Sequence, residues 1–222
     1  MESVSHVVEE YLEMIYKLQE RSGVARTSDL VKLLNVAPGT VTNTIERLEK
    51  ESLVLHEPYR GVKLTEKGRR IALRVVRRHR LSERLLTDIL KVEWENAHTV
   101  ACRLEHVITD EVAKKIEKVL GHPRTCPHGN PIPTECGGII EGNSLPLTEF
   151  EVGERGVIIK IVEEEPELLN YLNRMGLKPD VIFEVVEKAP FEGPITIRIN
   201  GKTHALSRNV ASLIRGWRVS EK

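Results

Sequence analysis

Six residues of metal-ligand type lie between positions 79 and 106: His79, Glu83, His98, Cys102, Glu105 and His106. At about 100° per residue of helix, Cys102, Glu105 and His106 stand at i, i+3 and i+4 on one face, with His98 one turn upstream. His79 and Glu83 form a second i, i+4 pair on the preceding helix. A lone histidine is ordinarily a satisfied core residue, and a single His/Glu pair a surface contact. Six such residues together, one of them a thiol, predict a bound ion. Nitrogen, carboxylate and sulfur in one cluster suit Fe(II), Mn(II), Co(II), Ni(II) or Zn(II), and do not suit Ca or Mg.

These ligands need helices to hold them, and the flanking sequence supplies a reason for the helices. Val8, Tyr11, Leu12, Ile15, Tyr16 and Leu18 repeat with helical periodicity. Thr27 or Ser28 can cap a second helix through Leu30, Val31, Leu33 and Leu34. After the break at 35–37, Pro38 suits the first turn of a third, which turns Val41, Ile45 and Leu48 inward and Thr42, Asn43, Glu46, Arg47 and Lys50 outward. Two β-like runs, 54–56 and 62–65, flank Glu57-Pro58-Tyr59-Arg60-Gly61 and read as a hairpin. Helix, tight turn, helix and hairpin make a winged helix-turn-helix, whose second helix can enter a major groove while the hairpin tip reaches phosphate or the minor groove. The residues expected to face DNA are Thr27, Ser28, Ala37, Pro38, Gly39, Thr40, Thr42, Asn43, Arg47 and Arg60. The small residues at 37–40 permit close approach and the polar ones reach bases or phosphates.

A long helix is expected from 65 to 84, with further helices to Leu90, from 96 to 106 and from 110 to 120. Gly121-His122-Pro123 stops the last. From Leu147 the texture becomes β, with strands at 156–162, 181–187 and 195–199 and a short helix at 168–175. The fold class is α+β. A winged helix spans 1–71, a helical metal-binding and dimerisation domain 72–123, a linker 124–146 and a small β-barrel 147–222. Cys126, His128 and Cys136 leave a structural zinc site one ligand short, so this stretch reads as a linker turn.

The formal net charge is zero, but it is unevenly spread. From 60 to 84 there are ten Lys or Arg against Glu66 and Glu83, and from 149 to 167 seven Glu against Arg155 and Lys160. A neutral total thus conceals one basic and one acidic module. Three cysteines are no disulfide framework and suit a reducing cytoplasm. The acidic, amphipathic start is no signal peptide, and no run approaches the roughly 20 apolar residues of a membrane span. No nucleophile constellation or phosphate-cradling glycine loop points to an enzyme, and no small-molecule substrate is expected.

Four motifs together resemble the iron- and manganese-dependent repressors of the diphtheria toxin repressor family: Glu9-Glu10-Tyr11-Leu12-Glu13-Met14-Ile15-Tyr16, Arg78-His79-Arg80-Leu81-Ser82-Glu83-Arg84-Leu85-Leu86, Ala101-Cys102-Arg103-Leu104-Glu105-His106 and Gly129-Asn130-Pro131-Ile132-Pro133. The resemblance implies a homodimer on double-stranded operator DNA, and a C-terminal SH3-like barrel of the kind found in a ferrous-iron transport accessory protein. It also implies two metal sites. An ancillary one would use His79, Glu83, His98 and, from the barrel, Glu165; a further amide ligand of the family aligns with Leu168. A primary one would use Cys102, Glu105 and His106 with Glu10 and Glu13 of the first helix. The thiol at Cys102 is the iron-type choice and the carboxylate at Glu10 the manganese-type one. Fe(II) is therefore expected as the signal, with Mn(II) the alternative and Co(II), Ni(II) or Zn(II) able to substitute in vitro.

Overall fold

The structure is a computed structural model that describes residues 4–57 and 60–219. Pro58 and Tyr59 of the expected hairpin connection lie outside the described residues. The chain divides into two compact units. Residues up to His79, with Leu104–Ala113 and Pro133–Gly138, form the first, and Arg80–Arg103, Lys114–Ile132 and the chain from Ile139 form the second. The helical middle expected at 72–123 shares its residues between them, and the supposed linker does likewise.

In the first unit, α1 (His6–Ser22) is capped by Ser5, whose hydroxyl accepts from the Val8 amide. It ends at Gly23, where φ of 76° suits glycine. Its apolar stripe, Val8, Tyr11, Leu12, Ile15, Tyr16 and Leu18, is buried, each large aliphatic side chain contributing about 1.5–3 kcal/mol. One charged residue, Glu13, lies in that stripe at 1 % exposure, a position where a carboxylate costs stability unless it has partners. Helix α2 (Thr27–Leu34) begins after Arg26, with no side-chain cap, so Thr27 and Ser28 lie inside the helix and not at its cap. Asn35 in the left-handed region ends α2, and Pro38 at the start of α3 (Pro38–Lys50) opens the next helix. Val41, Ile45 and Leu48 of α3 are buried as expected. Strands β1 (Val54–Glu57) and β2 (Gly61–Leu64) pair antiparallel, and Gln19 of α1 accepts from the Leu64 amide at 2.8 Å. This ties the wing to the first helix.

Helix α4 (Glu66–Arg84) continues into a single wider turn at Leu85–Ile89. Helix α5 (Ala97–Leu104) stops two residues before its expected end, and α6 (Asp110–Val119) follows. The stop has a local cause. Val107, Ile108 and Thr109 are β-branched, both the Val107 and Ile108 amides turn back to the Leu104 carbonyl at 3.0 Å, and the Thr109 hydroxyl accepts from the Val112 amide to start α6.

The barrel is a six-stranded antiparallel sheet. Its strands are β3 (Leu145–Pro146), β4 (Arg155–Ile161), β5 (Ile182–Lys188), β6 (Ile195–Ile199), β7 (Lys202–Leu206) and β8 (Ile214–Arg218), in the order β3-β8-β4-β5-β6-β7. Helices α7 (Pro166–Met175) and α8 (Arg208–Leu213) complete it. Ile195, Ile197 and Ile199 alternate inward with Thr196 and Arg198 outward. Phe150 and Phe183 meet edge-on at 5.0 Å in the core, in space that Gly156 leaves open: a Cβ there would stand 2.6 Å from both rings. Gly156→Ala should therefore lower barrel stability by about 1–3 kcal/mol through overpacking. Thermal unfolding of the full chain that matched the unsubstituted protein would contradict this packing.

Candidate metal centres

The first cluster lies in the first unit. Glu13 of α1, His79 of α4 and Glu105 of the turn after α5 bring one ligand atom each to within 4.8 Å of one another, and all three are buried. His79 Nδ1 and Glu105 Oε2 are 2.5 Å apart, and Lys17 stands 2.8 Å from Glu13. His106 lies between two carboxylates, Nδ1 at 2.9 Å from Glu9 and Nε2 at 3.2 Å from Glu105, while Arg78 reaches Glu9 at 2.6 Å. These contacts set the protonation states. Burial alone would raise Glu105, but His106 and His79 outweigh it and hold the carboxyl at about 2. Glu105 and Glu9 together push His106 up to about 10. Arg78, Lys17 and the protonated His106 imidazole compensate these carboxylates, so a metal ion must displace protons to enter.

The second cluster lies wholly in the second unit. Glu83, Cys126, His128 and Glu164 bring one ligand atom each to within 4.8 Å of one another. His98 Nδ1 is 3.2 Å from Glu83 and 3.3 Å from Glu164. His128 is buried, and its Nδ1 faces Glu83 Oε1 at 3.2 Å and Glu164 Oε1 at 3.5 Å. A buried imidazole nitrogen aimed at two carboxylates, with a thiol beside them, is a donor set that fits a borderline divalent ion. Burial pushes the Cys126 thiol up to about 11, helped by the Glu83 and Glu164 charges. Burial opposes the charged form of His98, but Cys102, Glu164 and Glu83 outweigh it and raise it to about 11.

The loop from 125 to 131 is built for this. Cys126 and Asn130 close it with a 2.8 Å backbone bond, and Gly129, at φ 88°, passes so close to β4 that a Cβ would meet the Ile159 carbonyl at 1.9 Å. Asn130 donates to the Ile161 carbonyl at 2.9 Å and to Glu164 at 2.7 Å. Arg84 donates to the Thr125 carbonyl at 2.7 Å, and Arg80 to that of Pro131. Reading the segment as a linker turn missed two donors. The signal present was Cys126-Pro127-His128 itself, which looked short of ligands because Glu83 and Glu164 are distant in sequence.

Several expected ligands sit elsewhere. Glu10 is exposed, and its neighbour Glu9 takes the contact with His106. Glu165 is exposed ahead of α7, while Glu164 turns inward. Leu168, where the family has an amide, packs against the barrel core. Within the first unit His79 also joins Glu13 and Glu105. Because α5 ends at Leu104, Glu105 and His106 leave the helical face of Cys102, whose sulfur lies 3.6 Å from His98 Nε2. Of the basic run, Arg77 is buried and donates to the Pro133 carbonyl, and Arg78, Arg80 and Arg84 are likewise spent on internal contacts. The positive charge there is thus partly structural. On α2, α3 and the wing, Ser28, Ala37, Pro38, Gly39, Thr40, Thr42, Asn43, Arg47 and Arg60 are exposed and Thr27 half-buried. Arg60 pairs with Glu57 at 3.4 Å.

Three family descriptions match the chain: the iron dependent repressor N-terminal DNA binding domain over residues 3–62, the iron dependent repressor metal binding and dimerisation domain over 65–134, and the FeoA domain over 145–216. The iron-dependent repressor IdeR of Mycobacterium tuberculosis is 35 % identical over 213 residues, covering 90 % of this chain and 92 % of its own. The diphtheria toxin repressor of Corynebacterium diphtheriae is 32 % identical, covering 97 % and 98 %. Among solved structures, a manganese-dependent transcriptional repressor in complex with manganese superposes with a TM-score of 0.86 at 31 % identity, over 96 % of this chain and all of that one. The repressor ScaR with bound Zn2+ gives 0.83 at 26 %, over 96 % and 99 %.

The raised His106 and lowered Glu105 give the metal-free protein a defined pH response. Glu105 contributes stability above its ordinary value of 4.5 and loses it as pH falls toward 2. His106 contributes fully below 6.5 and loses it as pH rises toward 10. Melting temperature in chelator should accordingly fall between pH 6.5 and 10, and His106→Gln should flatten the fall. An equally steep decline in that variant would refute the assignment.

Proposed function

Because the chain belongs to the iron-dependent repressor family, we propose that it is a homodimeric transcriptional repressor whose hold on operator DNA is set by divalent metal at the Glu13/His79/Glu105 cluster. One observation supports this above the rest: Glu13 is part of the helix that underlies the wing, and it meets ligands from α4 and the turn at 105. A divalent ion there supplies a fixed positive charge that binds carboxylates and imidazole together more rigidly than protons can. Glu13 and Glu105 would hold such an ion and fix α1 against the turn, with the His79 imidazole as the third ligand. Since α1 also bonds the wing through Gln19, restraining α1 restrains the reading surface formed by α3 and the wing. In a dimer this sets the spacing of two α3 helices for half-sites of a pseudo-palindromic operator, about one turn of DNA apart. Exposed apolar side chains in the helical region of the second unit, Ile89, Leu90, Val100 and Val119, suit a subunit interface.

The cluster offers only oxygen and nitrogen. Cys102, the donor that favoured iron, lies against His98, so Mn(II) stands beside Fe(II) as the signal. Glu83, His98, Cys126, His128 and Glu164 would hold a second, softer ion that secures the 125–131 loop to β4. Among the described residues no helix is long and apolar enough to cross a membrane; the reading places the protein with its DNA in the cytoplasm.

In fluorescence anisotropy with operator DNA, Fe(II) or Mn(II) should raise affinity by about 10- to 100-fold over chelator, the usual range of such coupling. Glu13→Gln or Glu105→Gln should remove most of that gain while leaving chelator-state binding in place. Equal affinity with metal and with chelator would overturn the proposal.

A further inference from the structure

A ligating imidazole takes its orientation from whatever its other nitrogen bonds. For His128 that partner is the backbone carbonyl of Trp94, 3.1 Å from Nε2, which leaves Nδ1 turned toward Glu83 and Glu164. Trp94 holds the same loop in two further ways. Its indole Nε1–H donates to the Pro127 carbonyl at 2.9 Å, and its ring meets the His128 ring edge-on at 4.8 Å and 63°. The indole is itself held, packed against the barrel core with the Lys178 ammonium 5.1 Å from its centroid.

Three contacts from one residue onto Pro127 and His128 exceed what filling space requires. Packing alone would be met by the indole against the barrel core. The indole N–H and the main-chain carbonyl both aim at the segment that carries two of the second centre's donors, although Trp94 offers no ligand of its own. Resting on the second centre proposed above, we propose that Trp94 is a positioning residue for it: it fixes the rotamer of His128 and selects Nδ1 as the ligating nitrogen. Indole and carbonyl act together, because the N–H that pins Pro127 keeps the His128 backbone in register with the Trp94 carbonyl. The affinity of the centre is then set in part outside its ligands.

Co(II) is a suitable probe, since thiolate-to-cobalt charge transfer reports a bound sulfur. The full chain carries three cysteines, so Cys102→Ser with Cys136→Ser leaves Cys126 as its one thiol. Titration of this protein should give a charge-transfer band. Adding Trp94→Phe, which keeps a ring beside His128 but loses the N–H, should weaken Co(II) binding at the thiolate centre by about 10-fold, and Trp94→Ala by about 100-fold, as substitutions around metal ligands do. Mn(II) binding at the Glu13/His79/Glu105 cluster should keep its affinity in both. Imidazole nitrogen NMR of the Zn(II)-loaded protein should show His128 bound through Nδ1.

Wild-type Co(II) affinity in both Trp94 variants, with the band present, would refute the positioning role and leave the second centre standing. So would binding through Nε2, or a loss shared equally by the two clusters and tracking a lowered melting temperature. Absence of the band before Trp94 is changed would remove the second centre itself. Should Trp94→Ala fail to fold, Trp94→Phe alone decides.

Discussion

Burying Glu13, His79 and Glu105 together is the constraint on which the first unit turns. Three ionisable groups occupy a place where apolar residues of similar volume would be as stabilising or more so. Their presence in the otherwise apolar stripe of α1 makes sense if the site trades stability for a state that depends on an ion. The surroundings manage the cost while no ion is bound. Lys17 and Arg78 stand against Glu13 and Glu9, and His106 bridges Glu9 and Glu105. The result is a cluster that is held together by protons and cationic side chains and is ready to exchange them.

The second cluster solves a different problem with different chemistry. Its four close donors come from α4, the 125–131 loop and the stretch before α7, with His98 of α5 against Glu83 and Glu164. Sulfur and a largely closed setting distinguish it from the all-oxygen-and-nitrogen first cluster, and the two should rank the available ions differently. Much of the loop's shape is independent of any ion, because Gly129 fits under β4 and Asn130 bonds both backbone and carboxylate.

Periodicity made much of the fold legible. The stripe of α1, the inward Val41, Ile45 and Leu48 of α3, and the wing strands follow from local pattern, and the alternation in β6 from period two. Strands β7 and β8 were not foreseen, since they are short and their apolar residues mix with charge. The candidate ligands were legible by residue type, but the partners of Cys102 and of Cys126 and His128 were not. Spacing placed Cys102 with Glu105 and His106 on the premise that α5 continues, and three β-branched residues end that helix early. Among Glu163, Glu164 and Glu165, nothing in the sequence tells which turns inward; the start of α7 at Pro166 leaves Glu165 outside. Glu9 and Glu10 are adjacent on α1, and only the position of Arg78 and His106 picks the former. Cys126 and His128 lacked visible partners because those partners lie some forty residues away on either side.

Along α3, the residues that hold the helix and those that meet solvent are cleanly divided. Val41, Ile45 and Leu48 anchor it, whereas Thr40, Asn43 and Arg47 project outward, and the Thr42 hydroxyl donates to the Pro38 carbonyl of its own helix. Exchanges at those outward positions leave both candidate metal clusters untouched. A lineage can therefore retarget such a protein to other genes by drift on one helical surface while its sensing of the cell's metal supply is inherited unchanged.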